Sequence, residues 1–230
     1  MKCLTYIYSH NKQTKRFLQS AERHGVEVIN TCQTPGSFGG NNVVLQRLWA
    51  TMNEFKGTNE YILYADGGDS LFVDNITPLD DRIIYSTERA CYPYPAWAEK
   101  HPEALTPWRY LNGGGWMGPV DLLLEYWQRY GLASYNDQRT EYAQAAQQQA
   151  FFQAHADGFP VELDTRCIWF QTLAFAEPDD FKILTGGGFG EYVVEAAPAF
   201  WNQVTDMFPS LLHGNGRTDM EWIYKAFDYD

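Results

Sequence analysis

The stretch YILYADGGDSLFVDN, residues 61–75, decides how this chain is read. Tyr61 to Tyr64 suit a buried strand, yet the run ends in Asp66, Gly67, Gly68 and Asp69. Asp and Gly are the commonest punctuation after a strand, so a plain polar turn accounts for the pattern. A divalent-cation site is the sharper alternative. Two carboxylates three positions apart can share one ion, and the glycines permit a tight backbone between them. The surrounding sequence has to choose.

Working outward, CLTYIYS (3–9) reads as a first strand, and 11–25 as a helix with Phe17, Leu18 and Ala21 on one face and Gly25 as its stop. VEVIN (26–30) is a second strand, and a Gly/Pro/Ser/Asn loop follows at 34–42. Residues 43–55 place Val44, Leu48 and Met52 at helical spacing, strand three carries Asp66, and RIIYST (82–87) is a fourth strand. Alternating strands and helices are the mark of βαβ units. The expected fold is α/β, a Rossmann-like, mostly parallel sheet flanked by helices, in a single domain over 1–230. Ligands of such sheets lie outside the carboxyl ends of the strands, where Asp66 and Asp69 fall.

The second half is less regular. Residues 119–131 and 137–158 read as helices, 191–196 as a strand, and 209–216 as a strand leading into a glycine turn. NGGGWMG (112–118) reads as a glycine loop whose backbone lies close to a ligand, and TGGGFGE (185–191) as an exposed loop.

Bulk composition narrows the function. Acidic residues outnumber basic ones, 29 to 17, giving a net charge of −12. Such a chain does not favour nucleic acid or an anionic membrane as partner. A phosphorylated ligand stays open, since a bound cation supplies positive charge locally. Cys3, Cys32, Cys91 and Cys167 form no C-x-x-C pair and no zinc spacing. With no cleavable leader and no apolar run of membrane-spanning length, a cytoplasmic location is expected.

Six strings, in order, resemble the glycosyltransferase domain of procollagen lysyl hydroxylases: KRFLQSAERHGVEV, YADGGDSLFV, STERACYPYP, YLNGGGWMGP, LDTRCIWFQTL and LLHGNGRT. The resemblance spans roughly residues 3 to 225. It implies a GT-A fold and manganese-dependent transfer of a hexose from UDP-glucose or UDP-galactose to a protein or glycan acceptor. It also implies that Asp66, Asp69 and His213 are the metal ligands. An imidazole beside two carboxylates tilts the choice toward manganese, with magnesium still compatible.

The chemistry fits independently. Negative charge grows on the departing diphosphate, and an ion bridging its phosphates stabilises that charge. Tyr8 and Ser9, after strand one, are placed for the nucleotide. Tyr92 is a ring for sugar or base, though ordinary loop packing explains it equally. Asn112 and Gly114 in the glycine run, with Gly214 and Asn215 beside His213, are further donor-binding candidates. A lone loop histidine is otherwise a surface group.

Three departures from the family pattern stand out. Gly68 replaces an aromatic between the two aspartates, and Asn42 or a neighbour replaces a lysine. The family's acidic D-D-Q run has two registers here: Asp137 with Gln138, or Gln148 with Gln149, which supplies no acid. Asp137 is therefore a catalytic candidate. Asp164 is another, although packing or capping explains it equally. These departures keep open a degenerate relative that binds a nucleotide-sugar or glycan without transfer. A metal-dependent phosphoesterase is the third reading; it ordinarily wants more than the 5 histidines present.

Overall fold

The structure, a computed structural model, describes residues 1–34, 36, 40–79, 81–135, 142–185, 188–189, 192–193 and 197–229. Strand β1 (Lys2–Thr5) leads to helix α1 (Lys12–Arg23), whose N-cap Asn11 accepts the Thr14 N–H through its side chain at 2.9 Å. Gly25, at φ +64°, turns the chain into β2 (Glu27–Asn30). Helix α2 (Asn41–Glu54) precedes β3 (Tyr61–Ala65), β4 (Ser70–Phe72), β5 (Ile83–Glu88) and β6 (Tyr110–Pro119). Helices α3 (Val120–Arg129) and α4 (Ala143–Ala156) follow, then β7 (Val161–Leu163), β8 (Phe170–Thr172) and β9 (Phe181–Leu184). The chain continues through β10 (Gly188–Phe189), β11 (Tyr192–Val193), β12 (Ala199–Asn202), β13 (Leu211–His213) and α5 (Glu221–Ala226).

The main sheet has strand order β2-β1-β3-β6-β5-β7. The βα alternation of the first ninety residues produces the parallel pairs β1/β2 and β1/β3, as expected. Only β6 runs against its neighbours, pairing antiparallel with both β3 and β5. Strand β3 is buried at all five residues because both sheet faces are covered. Ile62 and Tyr64 pack with Leu45, Leu48, Trp116 and Trp127 on the face of α2, α3 and α4. Leu63 and Ala65 pack with Phe17, Met117 and Phe170 on the other.

Residues 112–118 are corrected from a glycine loop to the interior of β6, the longest strand. Glycine weakens strand propensity, which hid the element from the sequence. Packing reverses the preference: a Cβ at Gly115 would stand 3.0 Å from the Phe170 ring and 3.1 Å from Ser86 Cβ. One at Gly118 would stand 3.1 Å from Ile83. These neighbours leave room for backbone alone.

A second sheet, β4-β13-β8, lies over the α1 side. Helix α5 covers it, tied to α1 by a bidentate bridge from buried Arg16 to Glu221 at 2.6 and 3.0 Å. Strands β9 and β12 form an antiparallel ribbon that the sequence did not announce. Of 185–196, read as a loop and a strand, residues 188–189 and 192–193 pair as a two-stranded hairpin, and 186–187, 190–191 and 194–196 lie outside the described residues. Among the described residues no helix is long and apolar enough to cross a membrane.

Buried His101 contributes to the pH dependence of the fold. The His101 ring lies among Tyr110, Phe151 and Phe152, its Nδ1 3.2 Å from the Trp97 carbonyl. Burial lowers its pKa, and nearby Arg109 lowers it further. A folded pKa below the unfolded value gives stability that is present above about pH 6.5 and lost as pH falls. The His101 contribution is expected to be lost between pH 7 and pH 5, so the melting temperature of His101→Phe should rise relative to the parent as pH falls through that window, while the variant loses one neutral hydrogen bond at every pH. Thermal unfolding of both proteins across the pH series checks it; parallel curves would contradict it.

Candidate active site

Asp66 follows the carboxyl end of β3, its N–H donating to the Gly114 carbonyl of β6 at 3.0 Å. Asp69 immediately precedes β4, which pairs antiparallel with β13 so that Ser70 stands opposite His213. Gly214 N–H then donates to the Asp69 carbonyl at 2.7 Å, locking the two segments together. A Cβ at Gly214 would meet Met220 Sδ at 2.4 Å, so this glycine serves packing. Pairing between distant parts of the chain thus brings Asp66, Asp69 and His213 to one place, their ligand atoms all within 4.8 Å of one another.

His213 is buried and held on three sides. Its Nε2 lies 3.2 Å from Asp69 Oδ1. Its Nδ1 lies 3.1 Å from Asn112 Oδ1, an oxygen that also accepts the Gly114 N–H at 3.0 Å. That shared oxygen fixes Nδ1–H as a donor and leaves Nε2 facing the carboxylates, the arrangement of a ligating histidine. The third side is Gly114, where a Cβ would stand 2.2 Å from His213 Cε1.

Electrostatics show how poorly the cluster tolerates its own charge. Burial and the neighbouring Asp69 raise Asp66 to about 6, against a smaller opposing effect of His213. Burial opposes charge on His213, but Asp69, Asp66 and Glu88 outweigh it and lift the imidazole to about 9. Two carboxylates and an imidazole so arranged suit a divalent ion.

Three cavities meet at Asp66. One of about 230 Å³ is lined by Tyr6, Tyr8, Asn41, Leu48 and Tyr64. A second of about 310 Å³ adds Ser9, Asn11, Thr14 and Asp69. The largest, about 610 Å³, holds Asp69, Glu88, Tyr92, Asn112, Gln144 and His213.

The family model of the PLOD GT domain matches residues 3–225. The chain belongs to this family. As a PLOD GT domain protein it is a member of a glycosyltransferase family. It is 26% identical over 142 residues, 61% of its length, to uncharacterized protein R699 of Acanthamoeba polyphaga mimivirus, of which that stretch is 26%. Its fold is similar to that of a glycosyltransferase involved in the glycosylation of the major capsid of PBCV-1, with a TM-score of 0.50, 14% identity and 93% of each chain covered.

Of the other residues singled out in this PLOD GT domain, Tyr8 and Ser9 line the cavities at Asp66, and Tyr92 and Asn112 line the largest. Asn215 is committed within the protein: Oδ1 accepts the Leu173 and Ala174 N–H groups, and Nδ2 donates to Glu88 Oε2 at 2.9 Å. Gly113 abuts α4: a Cβ there would lie 3.0 Å from Gln147 Nε2. Asp137 and Gln138 lie outside the described residues.

Asp164 lines none of the three cavities. Its carboxylate accepts the N–H groups of Ile168, Trp169 and Phe170 at 2.8, 2.8 and 2.9 Å, the capping role. Burial raises it to about 6 against those bonds. Gln148 is fully buried and donates to the Tyr92 and Leu111 carbonyls at 3.0 and 3.2 Å. A carboxylate there would face two carbonyl oxygens, so this register does not seat an acid.

Glu88 was missed. It ends β5 at the same sheet edge as Asp66 and is 4% exposed. Gln144 donates to its Oε1 at 2.5 Å and Asn215 to its Oε2. Burial raises Glu88 to about 7, opposed by hydrogen bonds from Gln144, Asn112 and Asn215 and by the charge of His213. The sequence signal for it is the acid of STERACYPYP, which falls at a strand's carboxyl end as Asp66 does.

Two glycines separate ligand geometry from chain flexibility. Gly114→Ala is expected to push His213 aside and weaken manganese binding about 10- to 100-fold, as for loss of a ligand-orienting contact. Gly68→Ala, where no atom lies within 4 Å of the new Cβ, is expected to bind like the parent. Calorimetric titration of manganese in the presence of UDP compares them.

Proposed function

We propose that this chain is a metal-dependent hexosyltransferase using UDP-glucose or UDP-galactose. The observation that carries the reading is the convergence of Asp66, Asp69 and His213 at the meeting point of three cavities. These three residues would hold manganese, with magnesium as the weaker alternative. The bound ion supplies Lewis-acid stabilisation of the diphosphate's growing charge.

The protein's own groups divide the remaining work. Tyr8, half-exposed on the wall of the two smaller cavities, is the ring for the base. Gly68 leaves open the space of the family aromatic, so that duty falls to Tyr8. Asn41 lines the nucleoside side, in the region of the absent lysine. In the largest cavity Tyr92, Asn112 and Gln144 orient the hexose. Glu88 is the acid of that cavity outside the ligand cluster, and a pKa near 7 lets it hold or release a proton at its carboxylate during turnover.

UDP with manganese, at one hundred times its dissociation constant, is expected to add about 2.7 kcal/mol of stability. For a chain of this size that is roughly 5–10 °C in melting temperature. Asp69→Asn should abolish the shift and leave the unliganded melting point nearly unchanged. No manganese-dependent shift with any UDP compound would reject the assignment.

Glu88→Gln keeps the size and removes the titrating group, at the loss of one of the two amide hydrogen bonds, since its NH2 cannot accept from Gln144 or Asn215. UDP affinity should stay within a few-fold while donor hydrolysis falls about 10²-fold, the low end for loss of one acid–base group. Unchanged hydrolysis would leave Glu88 as an anchor for Asn215 alone. A parent that binds UDP but never turns the donor over would instead mark the degenerate binder.

A further inference from the structure

Two exposed side chains on the rim of the largest cavity take no part in that chemistry. Phe175 is 72% exposed at φ +60°, and Arg217 is exposed at φ +64°. Bulky residues rarely adopt this left-handed backbone, and where they do the surroundings enforce it.

The loop bearing Phe175 is fixed rather than frayed. Leu173 and Ala174 donate their N–H groups to Asn215 Oδ1 at 3.2 and 3.0 Å. Arg89 Nη1 donates to the Phe175 carbonyl at 3.0 Å. Arg89 is itself bridged to Asp180 at 2.9 Å and stacked 4.6 Å over Trp108. Asn215 also bonds Glu88, so one side chain ties the ring's position to the acid inside. The ring nevertheless meets no other aromatic among the described residues. Arg217 forms no ion pair among them, and it is the one arginine or lysine lining the three cavities.

We propose that Phe175 is the acceptor platform and that the acceptor is the sugar ring of a glycan. The proposal rests on the glycosyltransferase reading above. A pyranose presents a face of C–H groups, which an aromatic ring covers, and a rim of hydroxyls, which need amides and carboxylates. The cavity supplies both in that order: Phe175 at the mouth, then Glu88, Asn112 and Gln144 within. An acceptor bearing an ammonium, such as a hydroxylysine side chain, meets the fixed positive charge of Arg217 at the same rim. In the transfer, the acceptor hydroxyl oxygen bonds to the anomeric carbon and that carbon's bond to the β-phosphate oxygen breaks. The electron pair leaves with UDP, and the hydroxyl proton passes to solvent.

The test supplies manganese and each UDP-hexose with water, methyl β-galactoside, methyl β-glucoside or free 5-hydroxylysine as acceptor. Transfer to a glycoside is expected to exceed transfer to 5-hydroxylysine at least tenfold. Phe175→Gly should raise the glycoside KM about tenfold or more, with donor hydrolysis to water and the UDP–manganese thermal shift unchanged. Its melting temperature should not fall, because glycine suits φ +60°. Phe175→Tyr should restore the parent KM. A glycoside KM unaltered in Phe175→Gly, or a preference for 5-hydroxylysine, would overturn the proposal. If the parent fails to hydrolyse any donor, the transferase reading fails separately. Saturation-transfer NMR of the glycoside with UDP and manganese then decides: a signal lost in Phe175→Gly supports the platform, and an absent or unaltered signal rejects it.

Discussion

The contact on which the site depends is that of the His213 imidazole with the bare backbone of Gly114. With a would-be Cβ only 2.2 Å from the ring, no side chain fits there. Strand β6 must therefore be glycine where the second sheet leans on it. The same strand supplies Asn112, whose oxygen holds both the ring and the Gly114 N–H. One turn of glycine-rich strand thus sets the distance between the sheets, the orientation of a ligand and the direction of its free nitrogen. Glycine costs conformational entropy in a strand, and it persists where close approach repays that cost.

A second layer of organisation surrounds this contact. Asn215 is fixed by the loop of Leu173 and Ala174 and in turn fixes Glu88, while Gln144 spans from Glu88 to the Gly113 N–H. Amides therefore satisfy both carboxylate oxygens of Glu88. Neutral amides can do this without cancelling the charge that an ion needs. An arginine in their place would pair with Glu88 and compete with the metal for the local field.

The first half of the chain was legible because its patterns are local. Phe17, Ala21, Leu48 and Met52 mark helix faces by spacing alone, and Asp66 follows a run that could only be a buried strand. Local rules failed at residues 112–118. There the decisive information lay in Phe170, Ser86 and His213, which are close in space and remote in sequence. Asp164 shows the converse: an acid in a recognisable string, whose lone pairs are already taken by three backbone N–H groups of the next turn.

By itself the sequence determined the α/β class and the strand carrying Asp66, because periodicity and strand-end chemistry are properties of neighbours along the chain; His213 as a partner of the two aspartates was implied by the family resemblance. Tertiary structure alone decided that Asp69 and His213 face each other, that Glu88 lines the same cavity, and that Asn215 and Asp164 are committed to partners within the protein. Those outcomes follow from β4 pairing with β13 and β6 entering the sheet antiparallel, and strand pairing between remote segments is set by the packing of the whole chain rather than by any one stretch of it.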